Sequence, residues 1–454
     1  SDKVKSGSAI PCSARAHVTA PHFVPVITKN LSYIQRISMN SLILKNCTIA
    51  DANHPEPREG KHILIENEWI KEIEDQSIQS ESADSIDLRG KTVIPGLIDA
   101  HCHIILSDLN ISNTDSIPPT LATAMSTKLM REMLFRGFTS IRDAAGADWG
   151  LKSAQEQGFI LGPKLWIAGR SLSQTGGHGD FRKRTQAYPE PCGCSSGAAL
   201  TSRIADGLSE VRHAARDELR LGANQIKAMV SGGVASPHDP IWNIQYSSEE
   251  LKAIVEEAHH WNTYVMAHAY SPEAISHALN CGVRTIEHAN LIDAETARLA
   301  VEKEAYIVPT LITYFAMEKN GKELGLPPVS LEKLKEVLEF GIKSLEICKS
   351  SGVKIGFGTD LLGPLHYQQL NEFEVRSEAL NAFEIFESAT KTNAEILGMK
   401  GKLGEVSTGA YADLLVLEGN PLENIGTLKE NSFEMIIQNG KVIKNMITHE
   451  RNLT

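Results

Sequence analysis

The stretch TVIPGLIDAHCH, Thr92 to His103, is the one on which the reading of this chain turns. An apolar run with β-branched residues ends abruptly in His101-Cys102-His103. In a strand, residues i and i+2 point the same way, so both imidazoles can converge on one ion at the strand's end. Seven similar runs follow: TSIRDAAG (139–146), PKLWIAG (163–169), NQIKAMVSG (224–232), YVMAHAYS (264–271), TIEHAN (285–290), AYIVPTL (305–311) and KIGFGTD (354–360). Helical stretches separate most of them, among them PPTLATAMSTKLMREMLFRG (118–137), SSEELKAIVEEAHHWN (247–262) and LEKLKEVLEFGIKSLEICKSSG (331–352). The last has apolar residues at helical spacing and stops at Gly352, a residue suited to a helix C-terminus. Alternating strands and helices over about 300 residues predict an α/β fold, a (β/α)8 TIM barrel over 94–398. A doubly wound open sheet is the alternative.

Other strand ends carry polar residues of the same kind. His268 closes VMAHA, His288 closes TIEHA, and Asp360 closes GFGTD. A lone strand-end histidine is more often a hydrogen-bonded structural residue, and a lone aspartate there is about as often a helix N-cap. Four histidines and a carboxylate on the ends of several strands favour a metal site, since neutral imidazole is the commonest protein metal ligand. Their convergence favours the barrel over the open sheet. Lys227 lies inside IKAM, between Ile226 and Ala228, where a buried ammonium is costly. It is either a lysine snorkelling from a strand end or a reactive amine. Burial lowers the ordinary pKa of about 10.4, freeing an amine that can take up CO2 as an anionic carbamate able to bridge two cations.

Composition narrows the classes further. The 454 residues carry a net charge of −11 with no basic stripe, so no nucleic-acid partner is expected. No apolar run of about 18 residues is present, and no membrane association is expected. Seven cysteines at irregular spacing suit reduced thiols in a cytoplasmic compartment. Cys192 and Cys194 are read as loop cysteines, because two residues cannot complete a tetrahedral zinc site. Residues 1–38 lack both the periodicity of the rest and a secretory signal. They are expected to be a disordered extension or tag, with Met39 as the natural start. The segments 41–93 and 412–445 read as strands, such as SLILKNCTIAD and ADLLVLEG, and suggest one β-rich unit built from both ends. The loop 171–198, rich in Gly, Ser, Pro and Cys, follows the third strand, where a long loop is more often functional than idle.

Together, DLRGKTVIPGLIDAHCH (87–103), the strand lysine, the two single histidines, Gly-Thr-Asp360 and GAYADLLVL (409–417) resemble the amidohydrolase superfamily over about residues 41–446. The resemblance implies the barrel and a small β-sandwich domain formed from 39–93 plus 399–454. It also implies two divalent metal ions held by His101, His103, Lys227, His268, His288 and Asp360, with Lys227 as N6-carboxylysine between them. The N/O ligand set suits Zn2+, with manganese, cobalt and iron open. Within the superfamily, SQTGGHGD (173–180), IKAMVSGGV (226–234), SPHDP (236–240) and QYSSEELK (from Gln245) resemble the metal-dependent prolidase and ochratoxin-hydrolysing branch. There the residues matching His178 and Tyr246 help hold substrate, and Asp360 carries protons; the stretch Ile241 to Ile244 varies. The implied activity is cleavage of the C-terminal amide bond of dipeptides or N-acyl amino acids, Xaa-Pro and ochratoxin-like amides included. The alternatives are a cyclic amide hydrolase of the imidazolonepropionase or dihydropyrimidinase kind, a deaminase, or a non-catalytic scaffold. Lys227 disfavours the one-metal deaminases and imidazolonepropionases, and the complete ligand set disfavours the scaffold. Arg142 and Asp143 receive no catalytic role. A homo-oligomer, often an octamer among relatives, is a further implication.

Overall fold

The computed structural model describes residues 41–80, 82–114, 117–182, 201–236 and 238–447. The expected extension 1–38 and the pair Cys192 and Cys194 lie outside them.

The two ends of the described chain form one eight-stranded sheet. Its order runs Lys441–Asn445, Met435–Gln438, Leu414–Leu417, Thr92–Pro95, Ser41–Ile49, Arg58–Glu66 and Trp69–Glu74, with Asp84–Asp87 beside Ser41–Ile49. Alternation along each strand divides the side chains between two apolar layers. Leu414 and Val416 pack with Leu42, Leu44, Ile63 and Ile65. Leu415 and Leu417, with Ile436 and Phe433, pack instead against Met133, Leu134 and Phe138 of the α/β body. All four residues of Leu414–Leu417 are therefore buried, which is why the strand reads as a continuous apolar run.

The α/β body holds two sheets of parallel strands. One has seven strands in the order Ser202–Ile204, Ser171–Ser173, Ile226–Met229, Val265–Ala269, Thr285–His288, Tyr306–Val308 and Lys354–Ile355. The other has Leu97–Cys102, Phe138–Asp143 and Lys164–Ile167. Backbone hydrogen bonds link them at both sides. Ala100 N donates to Phe357 O at 2.9 Å and Asp360 N to His101 O at 2.8 Å, while Asn224 N donates to Ile167 O at 2.7 Å. Helices follow the strands, and their ends carry local start and stop signals. Ser247 and Glu250 form a reciprocal capping box at the start of Ser248–His260, and Gly352 ends Pro328–Ser351 at φ 77°.

Two expected strands are shorter than their apolar runs. PKLWIAG continues past a break at Gly169 (φ 67°) into Ser171–Ser173. KIGFGTD pairs regularly only over Lys354–Ile355. Beyond it, Cβ atoms at Gly356 and Gly358 would lie 2.6 Å from Ile396 and 2.7 Å from His101, so the backbone there runs closer to its neighbours than a side chain allows. Among the described residues, no helix is long and apolar enough to cross a membrane.

Candidate metal centre

The parallel register carries the polar strand ends to one level. Met229 lies opposite His268, and Ala269 opposite His288, so these strands bring Lys227, His268 and His288 to one end of the sheet. The bonds from Thr359 N and Asp360 N to His101 O bring Asp360 beside the His-Xaa-His pair. Asp360 Oδ1 stands 3.4 Å from His101 Nε2 and 3.1 Å from His103 Nε2; its Oδ2 stands 3.9 Å from His288 Nδ1. Ligand atoms of His101, His288 and Asp360 all lie within 4.8 Å of one another. The ring centroids of His268 and His288 are 4.6 Å apart. All six candidates line one cavity of about 600 Å3, open mouth included.

Two of them sit on backbone that L-residues rarely adopt: His288 at φ 73° and Asp360 at φ 50°. Such conformations cost on the order of 1–3 kcal/mol each and persist only where surrounding structure enforces them. Strain at two converging side chains in one cavity is the pattern of a site organised for a ligand.

Electrostatics agree with the geometry. Burial, aided by neighbouring histidines, keeps His268 and His288 well below the usual imidazole range, so both are neutral, the form that ligates. Burial brings Lys227, 1% exposed, down to about 8, far from its ordinary value. Burial opposes the charge on Asp360, yet His101 and His103 hold its carboxyl well below the carboxylate range. The buried His101 Nε2 has no hydrogen-bond partner among the described residues. An orphaned nitrogen beside a carboxylate and neutral imidazoles is a donor set that fits divalent cations.

Behind this layer lies a buried ion pair. His101 Nδ1 stands 2.7 Å from Glu287 Oε2, and Arg142 Nη2 donates to both Glu287 oxygens at 2.9 and 3.0 Å. Burial works against the Glu287 carboxylate, but Arg142 and His101 keep its pKa at about 2. Because that carboxylate can only accept, the shared proton sits on Nδ1, and Nε2 is the nitrogen turned towards Asp360. Arg142 thus acts on His101 through Glu287 without reaching the cavity. Asp143 accepts from Ile104 N and Ala147 N and shapes the turn after its strand.

Of the two candidates expected to hold substrate, the structure brings only one to the cavity. His178 lines it and stacks on His268, centroids 4.2 Å apart at 17°. Tyr246 packs in the apolar cluster with Leu251 and Val255 and is not among the lining residues. Its backbone (φ 59°) serves the turn: its N–H donates to Gln174 and its carbonyl accepts from His277 Nε2 at 3.1 Å. A different tyrosine is at hand. Tyr270 lines the cavity, stacks on His288 at 5.2 Å, and shares a 2.7 Å hydrogen bond with Tyr314. It follows His268 by two residues, a spacing that predicts the same side of the strand. Most of the rest of the wall is apolar, with Leu106, Ile111, Phe181, Val234, Met317 and Leu362, and Ser171 and Thr201 add hydroxyls.

Comparison with known proteins places the chain in one family. The model of the amidohydrolase family matches residues 92–448. The chain belongs to the amidohydrolase family. Ochratoxinase of Aspergillus niger is 33% identical over 376 residues, covering 78% of this chain and 76% of that protein. The crystal structure of a prolidase complexed with N-methylphosphonate-L-proline superposes with a TM-score of 0.87 at 48% identity, covering 89% of this chain and 100% of that one. That of a further amidohydrolase gives a TM-score of 0.88 at 47% identity, covering 90% and 100%. This amidohydrolase is therefore a hydrolase of amide bonds, in the prolidase and ochratoxinase-like branch.

Proposed function

We propose that this amidohydrolase cleaves the C-terminal amide bond of dipeptides or N-acyl amino acids, Xaa-Pro and ochratoxin-like amides included. In this reading the two parallel sheets form one closed (β/α)8 barrel over 94–398, with 39–93 and 399–454 as a β-sandwich unit. The edge-to-edge backbone bonds and the amidohydrolase neighbours support it. The observation that carries the function is the convergence of His101, His103, His268, His288, Asp360 and Lys227 on one cavity. The likeness to a prolidase seen with a phosphonate analogue of a proline peptide supports the substrate class.

His101, His103 and Asp360 would hold one divalent ion and His268 and His288 the other, with carboxylated Lys227 between them. Bound ions of this kind supply carbonyl polarisation and a water nucleophile near neutral pH. The free amine of Lys227 would add to CO2, forming the N–C bond and releasing one proton, and the resulting carbamate anion would supply a further oxygen ligand. Asp360 takes a proton from the attacking water and returns it to the leaving amine. Tyr270, whose phenol burial keeps protonated, is placed to donate a hydrogen bond to the developing oxyanion. His178 steadies the substrate beside His268. The apolar wall excludes water and receives an apolar side chain.

The test is a panel of N-acyl amino acids, Xaa-Pro dipeptides and their C-terminal amides against metal-loaded enzyme, with Lys227→Ala as control. Hydrolysis of the free acids but not their amides supports the proposal. Cleavage of cyclic amides alone supports the dihydropyrimidinase-like alternative. A protein that retains no metal and hydrolyses nothing supports the scaffold.

A further inference from the structure

His178 reaches the cavity from a loop, yet it is gripped from two sides by residues of another. Its ring nitrogen Nδ1 stands 3.2 Å from Asp239 Oδ2, and its backbone N–H donates to Gln245 Oε1 at 2.8 Å. Gln245 closes the loop by donating its Nε2 to the same Asp239 oxygen at 3.1 Å. Asp239 is 1% exposed and Gln245 fully buried, so these bonds are made away from water, where each counts for more. The loop that carries Asp239 is itself tied down. Lys333, on the helix Pro328–Ser351, donates its ammonium to the carbonyls of Gly233 (2.9 Å), Ser236 (2.7 Å) and Asp239. Of the side chains that hydrogen-bond to Asp239, His178 is therefore one and Gln245 holds the His178 backbone.

We propose that Asp239 is a positioning residue for His178. Its carboxylate accepts the Nδ1 hydrogen and fixes the ring flat against His268. A carboxylate can only accept, so the shared hydrogen belongs to Nδ1. The role in turnover rests on the amide-hydrolase reading above; the Nδ1 hydrogen bond does not.

A double-mutant cycle separates this from a role in loop folding. Asp239→Asn lowers kcat/KM about 10-fold or more, the range for loss of a residue that orients another. In a His178→Gln background the same substitution changes kcat/KM less than about 2-fold, since nothing remains to orient. An equal loss in both backgrounds overturns the proposal. A second readout holds if Asp239→Asn fails to fold or no amide is hydrolysed. In 15N-histidine-labelled wild type, the imidazole signals that vanish in His178→Gln are those of a ring protonated at Nδ1. Signals of a ring protonated at Nε2 alone overturn it. Failure of every amide substrate with the Nδ1 signal present sinks the functional reading and leaves the Asp239–His178 pairing standing.

Discussion

Gly233 is where one methyl group probes the whole centre. A Cβ there would lie 2.4 Å from His178 Cε1, 2.7 Å from His178 Nε2 and 2.6 Å from His268 Nε2. Ordinary van der Waals contact begins near 3.4 Å, so the rings must yield by about 1 Å in Gly233→Ala. They have little room. His178 is held by Asp239 and Gln245, while His268 is wedged between His178, Tyr270 and His288. A misplacement of about 1 Å at a reacting centre costs on the order of 100-fold in rate, and overpacking of this size about 1–3 kcal/mol of stability. Gly233→Ala should therefore unfold at lower temperature and lose about 100-fold in kcat/KM for its best amide substrate. It should also bind less metal at the His268 and His288 side, read by metal analysis after dialysis. Wild-type turnover with full metal content would refute the claim that the His178–His268 stack is rigid and functional.

Lys227→Ala should lose activity and bind less metal. In the metal-free wild type, uptake of 13C-bicarbonate at Lys227 should rise with pH with a midpoint near 8, because the free amine reacts; a rise continuing beyond pH 10 would contradict the lowered pKa. Arg142→Met removes the guanidinium from the buried Glu287 carboxylate, leaving it only the His101 and Thr285 hydrogen bonds, and should cost about 3–5 kcal/mol in denaturant unfolding; a loss below about 1 kcal/mol would show the pair is dispensable. Glu287 is depressed from 4.5 to about 2, so its contribution is present above about pH 4.5 and lost as pH falls towards 2. Arg142→Met should accordingly flatten the acid-unfolding profile in that window. Asn381→Ala removes one half of a capping box whose residues do not line the cavity, and should cost about 1 kcal/mol without altering kcat/KM.

The local sequence determined much of this protein. Strand and helix periods, the capping box at Ser247 and the stop at Gly352 are set by neighbours a few residues apart, so they are legible in one dimension. The polar strand ends at His101, His103, His268, His288 and Asp360 stood out for the same reason, each a break in an apolar run. Lys227 was conspicuous because a charge inside IKAM needs an explanation wherever the strand goes. Only the tertiary structure decided what depends on contacts across many residues. It sent Tyr246 into a packing layer with Leu251 and brought Tyr270 to the cavity, contacts between elements that no local spacing records. It paired Glu287 with Arg142 and His101, 145 and 186 residues away in the chain, so a side chain hidden inside TIEHA emerged as the partner of a candidate ligand. It also joined Asp239 to His178, 61 residues apart, on loops whose course no periodic pattern records. Periodicity reports which face of an element is buried, and hydrogen bonds between elements are fixed only when those faces meet.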